Sequence, residues 1–278
     1  MQKRGPTYTK RIREPVVEGI FYPGEKKELE KVISQSLEKC DTPEGAGRAI
    51  LVPHAGYGYC SSLLAAAFKS VALKDPSVVV CLGPTHTEGK TGLYLTESES
   101  FRTPLGEIEI AEELSETMME CSTSFVKNDI HHMEEHCLEI TIPYIQILFP
   151  KAKLLPILVH GSSIGLVKVM ATALNLQFSK RESKTLFVVT SNLFGLSPKP
   201  ESLSKALNFI TLIKQGNPWE MVKAYEEKEI DACGTFPVAG LMAYLEETLQ
   251  VQELGIVKGD FMDKRMKDVP LYGAFCFR

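Results

Sequence analysis

Two histidines follow directly on apolar runs. His54 stands in Ile50-Leu51-Val52-Pro53-His54-Ala55-Gly56-Tyr57, and His86 in Val78-Val79-Val80-Cys81-Leu82-Gly83-Pro84-Thr85-His86. Each segment reads as a buried strand running into a polar turn. Turns at the carboxyl ends of neighbouring strands form the crevice in which α/β proteins bind ligands. Two neutral imidazoles delivered there together can hold a divalent metal. Pro53 and Pro84 stiffen the strand exits, and Gly56, Gly58 and Gly83 allow close backbone approach.

A metal held on one face needs a third ligand. Cys233, in Asp231-Ala232-Cys233-Gly234-Thr235-Phe236-Pro237, precedes an expected helix whose N-terminus would favour a thiolate. A lone cysteine is more often a small buried apolar residue. The stretch His131-His132-Met133-Glu134-Glu135-His136-Cys137-Leu138-Glu139 holds three of the six histidines. If helical, it would put His132 with His136, and His136 with Glu139, on one face. A zincin motif needs glutamate directly after its first histidine. Met133 stands there, so a metalloprotease is excluded, and His131 and His132 read as hydrogen-bonded groups at a polar helix start. His160 ends another apolar run. Asn192, in Val189-Thr190-Ser191-Asn192-Leu193, follows a strand and reads either as a turn residue or as part of the site.

The elements that must position these groups alternate. Strands are expected at Arg48–Val52, Val78–Leu82, Phe125–Lys127, Leu154–Val159 and Leu186–Thr190. Helices are expected at Ser61–Ser70, Ala111–Met119, Leu166–Leu176, Leu203–Ile213, Trp219–Glu226 and Val238–Leu249. Pro143 makes Leu138–Leu148 a kinked helix or one that starts late. Two antiparallel strands, Gln252–Lys258 and Leu271–Phe277, close the chain. Near-continuous apolar strands imply a sheet covered on both faces, hence an α/β fold with three α/β/α layers and a mixed central sheet.

The 278 residues carry a net charge of −4, which gives no electrostatic footprint for nucleic acid or an anionic membrane. No run approaches a membrane span, and no apolar segment of a signal peptide follows the first basic residues. Lys3, Arg4, Lys10, Arg11 and Arg13 read as part of a frayed terminus, placed at residues 1–12. The rest, without repeat, linker or composition break, reads as one domain over 1–278. Seven scattered cysteines without Cys-x-x-Cys spacing point to a reducing, cytoplasmic compartment.

Laid in order, these segments resemble the Memo family, named for mediating receptor-driven cell motility and similar to the class III extradiol (non-haem iron) dioxygenases. The matching motifs are Gly19-Ile20-Phe21-Tyr22, Pro53-His54-Ala55-Gly56-Tyr57-Gly58-Tyr59-Cys60, Gly83-Pro84-Thr85-His86, Arg102-Thr103-Pro104-Leu105-Gly106, Glu135-His136-Cys137-Leu138-Glu139 and Cys233-Gly234-x-x-Pro237. The resemblance implies a metal site of His54, His86 and Cys233. In the dioxygenases a carboxylate takes the third place, and thiolate in its stead favours iron(II), copper or zinc. It also implies a pocket for a phosphotyrosine peptide or a small molecule, lined by Phe21, Tyr59, Asn192 and His136 beside the ligands.

Three departures from the family pattern matter. The family's Ser-Asp-Phe-x-His segment is Ser191-Asn192-Leu193-Phe194-Gly195 here, so a neutral amide replaces the acid and the acid/base histidine of ring opening is absent. Such a group is typically worth ~10²–10⁴-fold in rate. Phe21 stands for the usual tryptophan, and Thr235-Phe236 for an Arg-His pair that would attract phosphate. The expectation is a cytosolic binding or signalling protein of cell motility with a metal pocket. The alternative is an iron- or copper-dependent oxidase or oxygenase acting on a small molecule.

Overall fold

The computed structural model describes residues 10–194, 201–246, 249–258 and 271–278. The chain opens with β1 (Ile12–Arg13), α1 (Lys26–Glu38), β2 (Ala49–Val52), α2 (Tyr57–Lys69) and β3 (Val78–Pro84). Three short strands follow, β4 (Gly92–Leu95), β5 (Ser100–Thr103) and β6 (Gly106–Glu109), then α3 (Glu112–Cys121) and β7 (Phe125–Lys127). After α4 (Asp129–Glu134) come α5 (Ile142–Leu148), β8 (Lys153–His160), α6 (Ile164–Phe178) and β9 (Thr185–Thr190). The last elements are α7 (Ser202–Gln215), α8 (Pro218–Glu226), α9 (Thr235–Leu245), β10 (Val251–Lys258) and β11 (Leu271–Phe277).

Among the described residues, an eight-stranded mixed sheet runs β10-β11-β2-β9-β3-β8-β4-β7. Its centre, β2, β9, β3 and β8, is parallel, while β11 is antiparallel to β2 and β4 to β8. Side chains alternate between its faces. Ala49, Leu51, Val80 and Leu82 enter one core with α3, α6, α7, α8 and α9. Ile50, Val52, Val79 and Cys81 enter the other with α1, α2 and α5. Both faces are dry, which is why these strands carry apolar residues at every position.

The sequence-expected strands and most helices are present, and Leu138–Leu148 takes the late-starting form: a short 3₁₀ turn, then α5 with Pro143 in its first turn, where its missing N–H is no loss. Four points differ. Helix α1 was not anticipated, because charges dominate it and only Leu29 and Ile33 are fully buried. A second sheet, β1-β5-β6, carries no apolar periodicity. Helix α9 starts at Thr235 and ends at Leu245, and residues 247–248 of the expected Val238–Leu249 helix lie outside the described residues. The frayed-terminus reading is corrected for residues 10–12, and for Arg13 beside them. Lys10 pairs with Glu107, the Arg11 amide bonds Glu99, and Arg13 is buried in β1, paired in register with Phe101. Residues 1–9 lie outside the described residues.

The parallel centre delivers its turns to one edge. His54 lies two residues past β2, His86 two past β3, Asn192 two past β9, and His160 ends β8. The sheet closes tightly there. A Cβ on Gly83 would stand 2.6 Å from Cys137 Sγ, 2.7 Å from Leu138 Cδ2 and 2.9 Å from Thr190 Oγ1. Gly83→Ala is therefore expected to destabilise by about 1–3 kcal/mol, the usual cost of overpacking. Thermal unfolding checks this, and an unchanged Tm would contradict it.

Candidate metal centre

Three imidazoles converge at that edge. The rings of His54 and His86 lie 5.3 Å apart, those of His54 and His136 5.6 Å, and those of His86 and His136 5.2 Å. One nitrogen from each falls within 4.8 Å of the others, a spacing a single divalent ion can bridge with small adjustments. The Cys233 Sγ sits 3.3 Å from His54 Nε2 and also adjoins His86. Sulfur from the far end of the chain thus meets two strand-end histidines.

Each group has a structural reason to be there. The His54 amide donates to Asn192 Oδ1 at 3.2 Å, which ties the β2 turn to the β9 turn. The amide of Gly234 donates to Ser191 Oγ at 2.9 Å, which brings the start of α9 against the end of β9. A Cβ at Gly234 would overlap the Ser191 side chain and the Thr190 carbonyl. Only glycine lets Cys233 approach.

Glu135 holds the other two rings. Its buried carboxylate accepts from the His86 amide at 2.6 Å, from His86 Nδ1 at 3.0 Å and from the Cys137 amide at 2.9 Å. His136 Nδ1 lies 3.3 Å away. An ionised carboxylate only accepts, so Nδ1 of His86 carries the proton and Nε2 is left for the centre. Orientation of a metal-binding histidine by a carboxylate is a recurrent arrangement.

The charges follow from these contacts. Burial pushes the Glu135 carboxyl up, but its hydrogen bonds to His86 outweigh this and hold it down at about 2. Burial likewise opposes charge on His86, yet bonds to Cys233 and Glu135 lift it to about 10. Cys233 is pushed up by burial and more strongly down by His54 and His86, to about 5. Burial, then the neighbouring His54, lower His136 to about 4, so its ring is neutral near pH 7. Free of metal, these shifts favour a Cys233 thiolate beside a His86 imidazolium, with the neutral His136 ring stacked on that of His86.

With this geometry in hand, known proteins give a consistent match. The family profile described as Memo-like protein covers residues 13–264. The chain belongs to the Memo family. A MEMO1 family protein of Aeropyrum pernix is 32% identical over 244 residues, 82% of this chain and 86% of its own length. One from Aquifex aeolicus is 30% identical, covering 91% of each chain. One from Nitrosopumilus maritimus is 29% identical over 90% of this chain and 91% of its own. In fold, the chain resembles an uncharacterized protein of Escherichia coli whose crystal structure matches at a TM-score of 0.52 and 13% identity, over 81% of this chain and 98% of that one.

Within this Memo chain, the remaining candidates fall in different places. Phe21 sets its ring edge-on to His136 at 5.3 Å. Gly56 lies between the Phe21 backbone and Tyr59, which is 41% exposed, so both aromatics flank the His54 turn. His132 is buried with Nε2 bonded to the Tyr94 carbonyl at 3.0 Å, and His131 Nδ1 bonds Thr87 Oγ1 at 2.7 Å. Both are satisfied, as expected. The conditional helical pairing does not form, because α4 ends at Glu134 and His136 lies beyond it. His160 faces His131 at 6.2 Å and is not among the three converging histidines. Gly195 lies outside the described residues.

Sequence reasoning gave no role to Glu135 or Arg13, and set Glu139 on a helical face with His136 that does not form. Glu139 is fully enclosed, paired with Arg13, and accepts from the Val16 and Val17 amides and from Tyr22 Oη at 2.6 Å. The only sequence sign was the presence of the two glutamates in the Glu135–Glu139 motif. Nothing in it marks which glutamate faces inward.

The thiolate state is testable. In metal-free protein at about pH 6.5, above the lowered Cys233 value, iodoacetamide is expected to label Cys233 first. Cys60 and Cys81, which burial pushes up to about 12, and Cys137, which burial also raises well above the usual thiol range, should stay unlabelled. His86→Ala should move labelling to higher pH. Mass spectrometry of the labelled peptides decides, and wild-type labelling only above about pH 8.5 would contradict the pairing.

Proposed function

We propose that this Memo protein binds one divalent or soft monovalent metal through His54, His86 and Cys233, with His136 as an adjoining imidazole. The observation that carries the reading is the convergence of the three histidines, with the Cys233 sulfur against two of them. The donor set supports it: neutral nitrogens with one thiolate suit iron(II), copper(I) or zinc better than magnesium or calcium. His54 Nδ1 is buried without a hydrogen-bond partner, an unsatisfied polar atom of the kind a bound group or water commonly completes. When bound, such a metal would supply Lewis acidity or, for iron and copper, electron transfer.

The pocket's role on this reading is binding, within cytosolic signalling in cell motility, rather than aromatic ring cleavage. The support is chemical. Asn192 is engaged with the His54 amide, and an amide cannot exchange a proton near neutral pH. The family resemblance supplies the motility setting and the phosphotyrosine peptide as ligand, and the free thiols of all seven cysteines support a reducing compartment. No helix among the described residues is long and apolar enough to cross a membrane.

One observation favours the second reading, an iron- or copper-dependent oxidase or oxygenase. His136, held neutral beside the centre, could take up a proton during turnover. Its ring partly offsets the histidine missing from the segment after β9.

Elemental analysis of anaerobically purified protein tests the proposal. The wild type is expected to carry close to one iron, copper or zinc per chain, and His54→Ala/His86→Ala close to none. Equal contents would remove both metal readings. Oxygen uptake by the metal-loaded wild type above that of the double variant would select the enzyme. Equal binding of a tyrosine-phosphorylated peptide to both proteins would exclude the pocket as the peptide site.

A further inference from the structure

We propose that Arg13 is a positioning residue for the metal centre, acting on His86 and His136 through the segment that carries Glu135. The inference rests on the reading of this site as a metal centre and extends it to a residue that touches none of the ligands.

The guanidinium is buried, its side chain 1% exposed, and spreads over three points of one segment. Its Nε donates to the His132 carbonyl at 3.0 Å, its Nη2 to the Glu135 carbonyl at 2.7 Å, and its Nη1 to the Glu139 carboxylate. The Phe101 ring packs under it at 5.3 Å. Residues 132–139 leave helix α4 and reach the 3₁₀ turn before α5 without regular structure over Glu135–Cys137, so no ladder of backbone bonds fixes them. The planar fork of an arginine spans acceptors spread along such a segment, a geometry that the compact ammonium of a lysine does not match.

What the fork locks is the platform of the site. The Glu135 backbone is clamped by Arg13, while its side chain reaches the His86 amide, His86 Nδ1 and the neighbourhood of His136 Nδ1. Glu139 extends the clamp to the other side. It holds the Val16 and Val17 amides and Tyr22, and so the loop whose Phe21 rests on His136. Arg13 is itself carried by β1 on the small sheet, in register with Phe101 of β5. The minor sheet thus presents one guanidinium to the segment behind the imidazoles.

Cobalt(II) titration of metal-free protein, followed through its ligand-field and thiolate charge-transfer bands, tests this well below each variant's unfolding temperature. Arg13→Lys, which keeps the charge and loses the fork, is expected to weaken binding by about 10-fold or more, the range of partners outside the first ligand set, and to shift the bands. Glu139→Gln should shift them in the same sense and serves if the lysine variant does not fold. Leu174→Ala, in the α6 core on the opposite face, should lower Tm while leaving affinity and bands as in wild type. Wild-type affinity and bands in the Arg13 and Glu139 variants would overturn the positioning role alone, as would equal weakening in Leu174→Ala. A wild type that binds no cobalt(II) would overturn the metal reading and this inference with it.

Discussion

A carboxylate removed from water must be met by donors, and the buried Glu135 meets that demand with the turn that bears His86 and with its own chain neighbours. Its negative charge in a low-dielectric setting is tolerable only because these donors stand in place. The same requirement fixes the donors. His86 cannot rotate, and the β3 turn cannot drift, without leaving a buried charge unsatisfied. Breaking one side of a buried pair commonly costs about 3–5 kcal/mol, even where the pair adds little net stability. The site is held less by attraction than by the penalty for any other arrangement.

Glu139 repeats this logic four residues on. Arg13, Tyr22 and two amides of the opening loop answer its charge, so the N-terminal segment and the 132–139 segment order each other. Two acidic residues in one short irregular stretch therefore organise both walls of the pocket: the imidazole wall through Glu135 and the Phe21 wall through Glu139. Irregular backbone is used where the positions required do not follow a helical or extended period.

The sheet supplies the rest. Parallel strands β2 and β9 end level and β3 one residue further on, and the residues two places past these ends gather at one edge. Their apolar faces, buried on both sides, make that edge rigid. The third element of the site comes from far along the chain. It fits only because Gly234 has no side chain where Ser191 and the Thr190 carbonyl already stand. A family pattern of Cys-Gly in place of a lone cysteine has its explanation in that contact.

Much of this was readable from residue order. Continuous apolar runs such as Val78–Leu82 can be buried only in a two-sided sheet, so the layers, the strand ends and the placement of His54 and His86 at them followed from hydrophobic pattern alone. Local pattern narrowed Pro143 to a kink or a late helix start, and packing chose the late start. It did not reveal α1, whose charges hide a narrow apolar stripe, or the small sheet, whose strands have no period. Nor did it bring His136 beside the other two imidazoles, choose Glu135 over its neighbours as their anchor, or turn a basic residue near the terminus into a buried clamp. These are contacts between segments roughly 50 to 180 residues apart. Residue type and spacing determine which local structures can form; which buried charge meets which donor is decided only when the segments pack, because desolvation is a property of the assembled environment and not of the sequence that enters it.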